Sequence, residues 1–286
     1  MSNRADIERV LADPGHGVPA APPGDRGLAW LRSTVSRFVN GAVHTRRRAI
    51  VEGEIGSMSP QALRESARRR TDAALDAADG RIEAMADIAR PVPVATLGAG
   101  LGLSGDALSG VVADVIAVAP AYATGAADER VDLAVERLRA ALDRGGPEET
   151  AAAIAVLVQA CEATAALIGN AVALADQRPE LPRDVDALVR ETALRLPPVR
   201  LMRRVSDDGD QVTLDVETAS QELGPGDATL TFGSGLRPCP ASEHAVALAS
   251  GVLDALLPRC TRDPDVAQWA ELPAIRIPER LELTVA

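Results

Sequence analysis

Along most of the chain apolar residues return every three or four positions, the spacing that lines one face of an α-helix. DIERVLADP (6–14) is a short example, closed by Asp13-Pro14-Gly15. A Pro/Gly-rich connector, GVPAAPPGDRG, follows it and predicts irregular chain. LAWLRSTVSRFVNG (28–41) and HTRRRAIVEGEIGSM (44–58) show helical spacing and are separated by Asn40-Gly41. From Ser59 an amphipathic run extends to Ala89, with Ser59 as N-cap and Pro60 at the first helical position, where a missing N–H costs nothing. Residues 111–143 predict one or two modest helices around Gly125-Ala126-Ala127-Asp128. The clearest helix begins at Pro147, where Glu148 and Glu149 complement its positive end. It runs to about Asp176, a length of roughly 45 Å at 1.5 Å per residue. Residues 184–196 form another capped helix, stopped by Pro197-Pro198, and 241–257 are helical again. Two stretches break the pattern. Residues 199–217 enrich in β-branched side chains around Asp208-Gly209, which predicts a hairpin, and the C-terminal PAIRIPERLELTV predicts short strands or extended chain.

The fold class is therefore mainly α with small β elements, in a chain of 286 residues, enough for one large or two medium domains. The interior must be built from Ala, Leu and Val, because the chain is 47% hydrophobic but only 2% aromatic. Its longest apolar stretch, 151–175, has the length of a membrane span, yet Gln159, Glu162 and Asn170 interrupt it at a cost in lipid. A buried central helix is the expectation, with no membrane partner. A net charge of −11 argues against non-specific nucleic-acid binding, which needs cationic surface, and Arg46-Arg47-Arg48 is too short a basic run to change that. The chain has no lysine, which excludes a P-loop lysine and a lysine Schiff base. With its many alanines and arginines, that composition points to a GC-rich, actinobacterial-looking source. Cys161, Cys239 and Cys260 are too few and too scattered for a disulfide framework or a zinc site. With no charged-then-apolar leader, the cytoplasm is the expected compartment.

Two glycine-rich stretches invite chemistry. Gly100, Gly102 and Gly105 satisfy the G-x-G-x-x-G spacing of a dinucleotide loop, but Pro91 and Pro93 spoil the strand that should precede it and no βαβ repeat follows, so the expectation is a turn between helices. The second stretch, TFGSGLRPCPAS (231–242), places Cys239 between two prolines ahead of a helix. From the residues alone this cysteine fits a disulfide, a nucleophile, a metal ligand or simple packing.

Phe232-Gly233-Ser234-Gly235-Leu236-Arg237-Pro238-Cys239-Pro240-Ala241 resembles the haem-binding loop of the cytochrome P-450 family, Phe-Gly-x-Gly-x-(His/Arg)-x-Cys-x-(Gly/Ala), at every defined position. Three further features occur in the family's order. His44 and Arg48 resemble its His-x-x-x-Arg, a spacing that puts both on one helix face. Cys161-Glu162-Ala163-Thr164 with Leu167-Ile168-Gly169-Asn170 resembles its oxygen-side helix, and Arg204 after Pro197-Pro198-Val199 resembles its strand arginine. The resemblance covers about residues 6–286, with gaps. It implies one haem-thiolate domain over 1–286, with haem b ligated by the thiolate of Cys239. Phe232, Gly233 and Gly235 would form the cradle, and His44, Arg48, Arg204 and Arg237 would hold the propionates. Glycines would let backbone approach the macrocycle, and a helix starting at Pro240 would favour thiolate.

The departures from the family pattern are as informative. The chain is expected to lack the family's first helix and leading strands, much of its lid between Leu103 and Pro147, and almost all of its meander between Gln221 and Phe232. Thr192 stands where the family's Glu-x-x-Arg has glutamate, with Glu191 one residue early and Arg195 in place. Glu191 and Arg195 remain spaced for a helix ion pair. On the oxygen-side helix Glu162 keeps the acid, but Ala163 occupies the hydroxyl position, with Thr164 beside it, and Gln159-Ala160 replace Ala-Gly. The resemblance implies a monooxygenase or oxidase of secondary metabolism, acting on a small or carrier-bound metabolite with a ferredoxin-like electron donor. Glu162 would manage protons, with Thr164, an ordered water or a substrate hydroxyl replacing the alcohol. The altered relay leaves open peroxide-driven oxidation, dehydration or rearrangement, or a degenerate non-catalytic subunit. A thinned lid would suit a tethered substrate or a second subunit covering an open pocket.

Overall fold

The structure, a computed structural model, describes residues 1–177, 184–221, 228–262, 268–270, 272 and 274–286. The chain divides into two compact units: residues 1–17, 60–92 and 163–286 form one, residues 18–59 and 93–162 the other. Helix α1 (Arg4–Ala12) and β1 (His16–Gly17) open the chain, followed by α2 (Gly27–Thr34), α3 (Gly41–Gly56) and α4 (Pro60–Asp76). After β2 (Arg81–Glu83) and a π-helical turn over Met85–Ala89 come α5 (Pro91–Gly100), α6 (Gly105–Thr124), α7 (Glu129–Ala141) and the long α8 (Pro147–Gln177). Then follow α9 (Val185–Arg195), β3 (Leu201–Ser206), β4 (Gln211–Asp215), α10 (Val216–Ser220) and α11 (Ser242–Arg259). Four short strands complete the order: β5 (Cys260–Arg262), β6 (Gln268–Trp269), β7 (Pro278–Arg280) and β8 (Glu282–Val285).

In the unit built from residues 18–59 and 93–162, α2, α6 and α7 pack together. Helix α2 has no side-chain cap of its own, and its first N–H groups are taken by α7: Asp132 accepts from Leu28 at 2.9 Å and Glu136 from Gly27 at 2.8 Å. Gly27 reaches that position through φ +53°. Arg139 lies 4.1 Å over the Trp30 ring. Residues 111–143, expected to hold one or two modest helices, fall mostly within helices of 20 and 13 residues, Gly105–Thr124 and Glu129–Ala141, broken where the Gly125 turn predicts. The segment 91–100, read as a turn, is helix. Pro91 and Pro93 fall in its first turn, where N–H groups have no intrahelical acceptor and proline is tolerated. Gly102 (φ +93°) and Gly105 (φ +54°) then make the turn into α6.

The other unit rests on α4 against α11. A Cβ at Gly251 would collide with the carbonyl of Arg64, so the two helices touch backbone to backbone. Arg64 forks between Asp254 (2.7 Å) and Asp186 (2.8 Å), and Ser250 donates to Asp186 at 2.8 Å, tying α4, α9 and α11 together. These bonds, that to Asp254 first, hold the Arg64 guanidinium firmly charged. The amphipathic run from Ser59 does not continue to Ala89. It stops after Asp76, and after Gly80 (φ +71°) Arg81–Glu83 joins a sheet ordered β2-β8-β5. A second sheet has the order β1-β3-β4, with the expected hairpin turning at Gly209 (φ +90°), and β6 pairs with β7. All described strand pairs are antiparallel, the opposite of a dinucleotide-binding sheet.

Helix α8 has the predicted extent. It is long and apolar enough to cross a membrane, as is α6, but 78% of its most apolar window is buried within the protein. Gly169 lets Met85 and Pro278 close in, since a Cβ there would lie 2.8 Å from the Met85 sulfur and 2.9 Å from Pro278. Buried Asn170 donates to the carbonyls of Leu196 (2.9 Å) and Arg276 (3.1 Å). The glycine is therefore a contact and the asparagine a clamp on two non-helical carbonyls. The family-like Gly169-Asn170 pair thus has a structural use.

Candidate functional site

The cysteine loop grows from a small apolar core. Ile7, Val10 and Leu11 of α1 pack with Leu214, Val216, Ala219 and Leu230, and with the half-buried Met202 and Val212. That core fixes the end of α1 against the β3–β4 hairpin, and the loop is hung on it. The N–H of Leu236 donates to the carbonyl of Leu11 at 3.0 Å, that of Gly233 to Leu230 at 2.8 Å, and that of Cys239 to Phe232 at 2.7 Å. The chain between Phe232 and Cys239 is thus a closed ring of backbone, and its two turns need left-handed residues at Gly233 (φ +70°) and Gly235 (φ +64°). Gly235 is doubly determined, because a Cβ would collide with the carbonyl of Leu11.

Cys161, Cys239 and Cys260 are all free thiols. Their settings separate them: Cys161 is buried inside α8, while burial pushes the Cys260 thiol above its ordinary range. Cys239 is half-buried at the rim of a loop, with Phe232 and Arg237 also half-buried in the same ring. Helix α11 begins at Ser242, not at Pro240, so its N-terminus follows Cys239 by three residues. In the same unit β3 carries Arg204, only 7% exposed and opposite Val212, with Nη1 donating to the Arg203 carbonyl at 2.9 Å.

His44, Arg48 and Glu162 belong to the other unit. His44 and Arg48 share the inward face of α3, flanked by exposed Val43, Thr45 and Ala49. Arg48 pairs with Glu52 one turn on, at 2.7 Å. Its neighbours form a clamp whose acidic partner lies about a hundred residues away in sequence. Arg46 and Arg47 both bind Glu148 in the first turn of α8, at 2.7 and 2.8 Å, and Arg47 also donates to the Ser33 carbonyl at 2.7 Å. The bonds from Arg46 and then Arg47 draw the Glu148 carboxyl down to about 2. The acidic first turn was read only as a helix-dipole complement; the triple arginine of α3 was the available signal.

Between residues 151 and 174 of α8 every position is buried except Gln159, Ala160, Glu162 and Ala163. These lie on one side of the helix at spacings of one, three and four. Thr164, one turn after Ala160, is not part of this uncovered patch, since it is only 2% exposed. Gln159 accepts from Arg37 Nη1 at 3.4 Å and donates to the Ala155 carbonyl at 3.3 Å.

The broken Glu-x-x-Arg also has a local explanation. Thr192 is fully buried and donates to the Leu188 carbonyl at 2.8 Å, so no charge lies in that site. Glu191 pairs with Arg195 on the helix surface. Thr229 donates to the Ala193 carbonyl at 2.7 Å and Thr231 accepts the Val199 N–H at 3.0 Å, so neutral hydroxyls join the chain ahead of the cysteine loop to α9 and the strand. Nearby, Glu217 is held between Arg200 and Arg276. The expected meander deletion falls mainly on 222–227, outside the described residues.

No protein-family model matches the chain, and no curated protein matches it. Solved structures do. P450BioI in complex with an acyl carrier protein bearing hexadec-9Z-enoic acid superposes with TM-score 0.84 at 18% identity, covering 100% of this chain and 92% of that one. A thermophilic cytochrome P450 from Sulfolobus tokodaii gives 0.81 at 16% identity, with 100% and 94% covered. PksS, the cytochrome P450 of the bacillaene polyketide synthase of Bacillus subtilis 168, gives 0.80 at 17% identity, with 100% and 90% covered. The chain has the cytochrome P450 fold. Its donor set fits the group that such a fold implies: one thiol at the rim of a glycine ring, and a buried guanidinium on the strand of the same unit.

Proposed function

We propose that residues 1–286 form one haem-thiolate domain of cytochrome P450 type, a cytoplasmic oxidoreductase that binds haem b through the thiolate of Cys239. The observation that carries the proposal is the backbone ring closed by the Cys239 N–H on Phe232, with left-handed Gly233 and Gly235. This ring holds the backbone of Cys239 in a fixed turn, from which its thiolate would reach a flat ring. Bound haem would supply oxygen activation and one-electron chemistry. Arg204 and Arg237, and on α3 His44 and Arg48, would neutralise its carboxylates, with Arg204 the strongest because it is buried.

The substrate is proposed to be a small or carrier-bound metabolite of secondary metabolism, and a ferredoxin-type protein the electron donor. The similarity to P450BioI, solved with an acyl carrier protein, supports the carrier-bound form. Glu162 would hold or release the proton at its carboxyl oxygen, at the uncovered patch of α8.

One observation favours a second reading. The patch carries Ala163 and no hydroxyl, while Thr164 is buried next to it. Peroxide-driven oxidation, or dehydration or rearrangement without external electrons, would need less of a relay than monooxygenation. Haemin incubation and a ferrous–CO spectrum test the haem; turnover with a ferredoxin system against hydrogen peroxide then separates the two readings. A protein that takes up no haem would leave only the non-catalytic relative.

A further inference from the structure

The patch on α8 holds two side chains able to hydrogen-bond, Glu162 and Gln159. They are three residues apart and therefore neighbours on the helix surface. Residues 151–158 ahead of them are apolar and buried. The orientation of Gln159 is set from outside the helix. Arg37, on the turn Ser36–Phe38, points Nη1 at the Gln159 carbonyl oxygen at 3.4 Å, and the Phe38 ring lies 5.7 Å from the Arg37 guanidinium carbon. With its oxygen turned to Arg37, the Gln159 amide keeps its two N–H donors on the other side, one of them on the Ala155 carbonyl at a long 3.3 Å.

We infer that Gln159, oriented by Arg37, is a positioning residue that replaces the missing alcohol at Ala163: its amide holds the water, or the substrate hydroxyl, that takes a proton from Glu162. This rests on the haem-thiolate reading. Gln159 itself neither gains nor loses a proton. The proton leaves the Glu162 carboxyl for the held oxygen, which passes one of its own protons on to the reacting group, and Glu162 recovers one from solvent. The arrangement explains two departures from the family pattern together, because a hydrogen-bonding side chain appears one turn before the position where one is lost. Thr164 is itself buried in the protein, next to the patch rather than in it.

The test uses the haem-loaded protein and two probes that require no knowledge of the substrate. Cyanide binding to the ferric protein, read from the Soret band, reports hydrogen bonding and proton acceptance without turnover. Peroxide-driven guaiacol oxidation gives a pH–rate profile. Gln159→Leu is expected to weaken cyanide binding about tenfold and to flatten the acid limb of the profile, with the ferrous–CO spectrum intact. Arg37→Gln should shift both in the same direction by less, and adding Ala163→Thr to Gln159→Leu should restore the profile. Cyanide affinity and a profile unchanged in Gln159→Leu would overturn the inference while leaving haem ligation standing. Absence of any Soret band in the unaltered protein would instead overturn the haem-thiolate reading on which it rests.

Discussion

The cysteine loop and the middle of α8 are fixed by different means, and they have departed from the family pattern to different degrees. The path of the loop is determined by backbone: two left-handed glycines and three backbone hydrogen bonds, one of them on a carbonyl of α1. The centre of α8 is determined only by which side chains face its uncovered patch, since any of them can ride on an unbroken helix. Substitutions there cost little fold, so this is where chemistry is free to change. Every defined loop position matches the family pattern, whereas Gln159, Ala160 and Ala163 do not.

That contrast predicts the largest stability effects in the loop. Gly235→Ala should destabilise the protein by about 2–3 kcal/mol, since it adds a left-handed penalty to a collision with Leu11. Gly233→Ala should cost about 1–2 kcal/mol, because its Cβ would only press on the Arg237 carbonyl at 3.2 Å. Denaturant unfolding of the two variants checks the order, and an equal or reversed cost would break the backbone argument. Next is Asn170→Leu, which strips the donors from two inward carbonyls and should cost about 1–3 kcal/mol by the same measurement.

Smaller effects sharpen the other side. Glu148 titrates at about 2 in the folded chain, below its unfolded value, so its contribution is complete above the ordinary carboxylate range and fades as pH falls through that range toward 2. Thermal midpoints taken across that acid window should fall more steeply in the natural protein than in Glu148→Gln. The least effect is expected from Thr164→Val. Its hydroxyl lies off the patch, so peroxide-driven turnover of the haem-loaded protein should change less than about twofold, whereas Glu162→Gln should lower it at least about tenfold. A large loss in Thr164→Val would return the relay to the threonine.

The elements legible in the sequence are those whose signals are local. Pro147 and its glutamates marked the start of α8, Asp184 capped α9 by accepting the Ala187 N–H at 2.7 Å, and Asp208-Gly209 turned the hairpin. What was not legible depends on distant partners. Arg81–Glu83 continues the helical spacing of α4, yet it pairs with Glu282–Thr284 about two hundred residues away. Pro91 and Pro93 looked like breakers until they fell in a first turn. The site divides in the same way. Gly233 and Gly235 were readable because left-handed backbone forces their type, and Cys239 because it stands at a fixed place in the same family-like motif. The roles of Gln159 and of the Arg46–Arg47–Glu148 clamp lie in contacts made across more than a hundred residues of sequence.

The central claim is that Cys239 ligates haem iron as a thiolate, and the ferrous–CO difference spectrum tests it most directly. The account predicts a red-shifted, thiolate-type Soret band for the haem-loaded protein, lost in Cys239→Ser while haem uptake persists. The same band surviving in Cys239→Ser, or no band in the natural sequence, would contradict it.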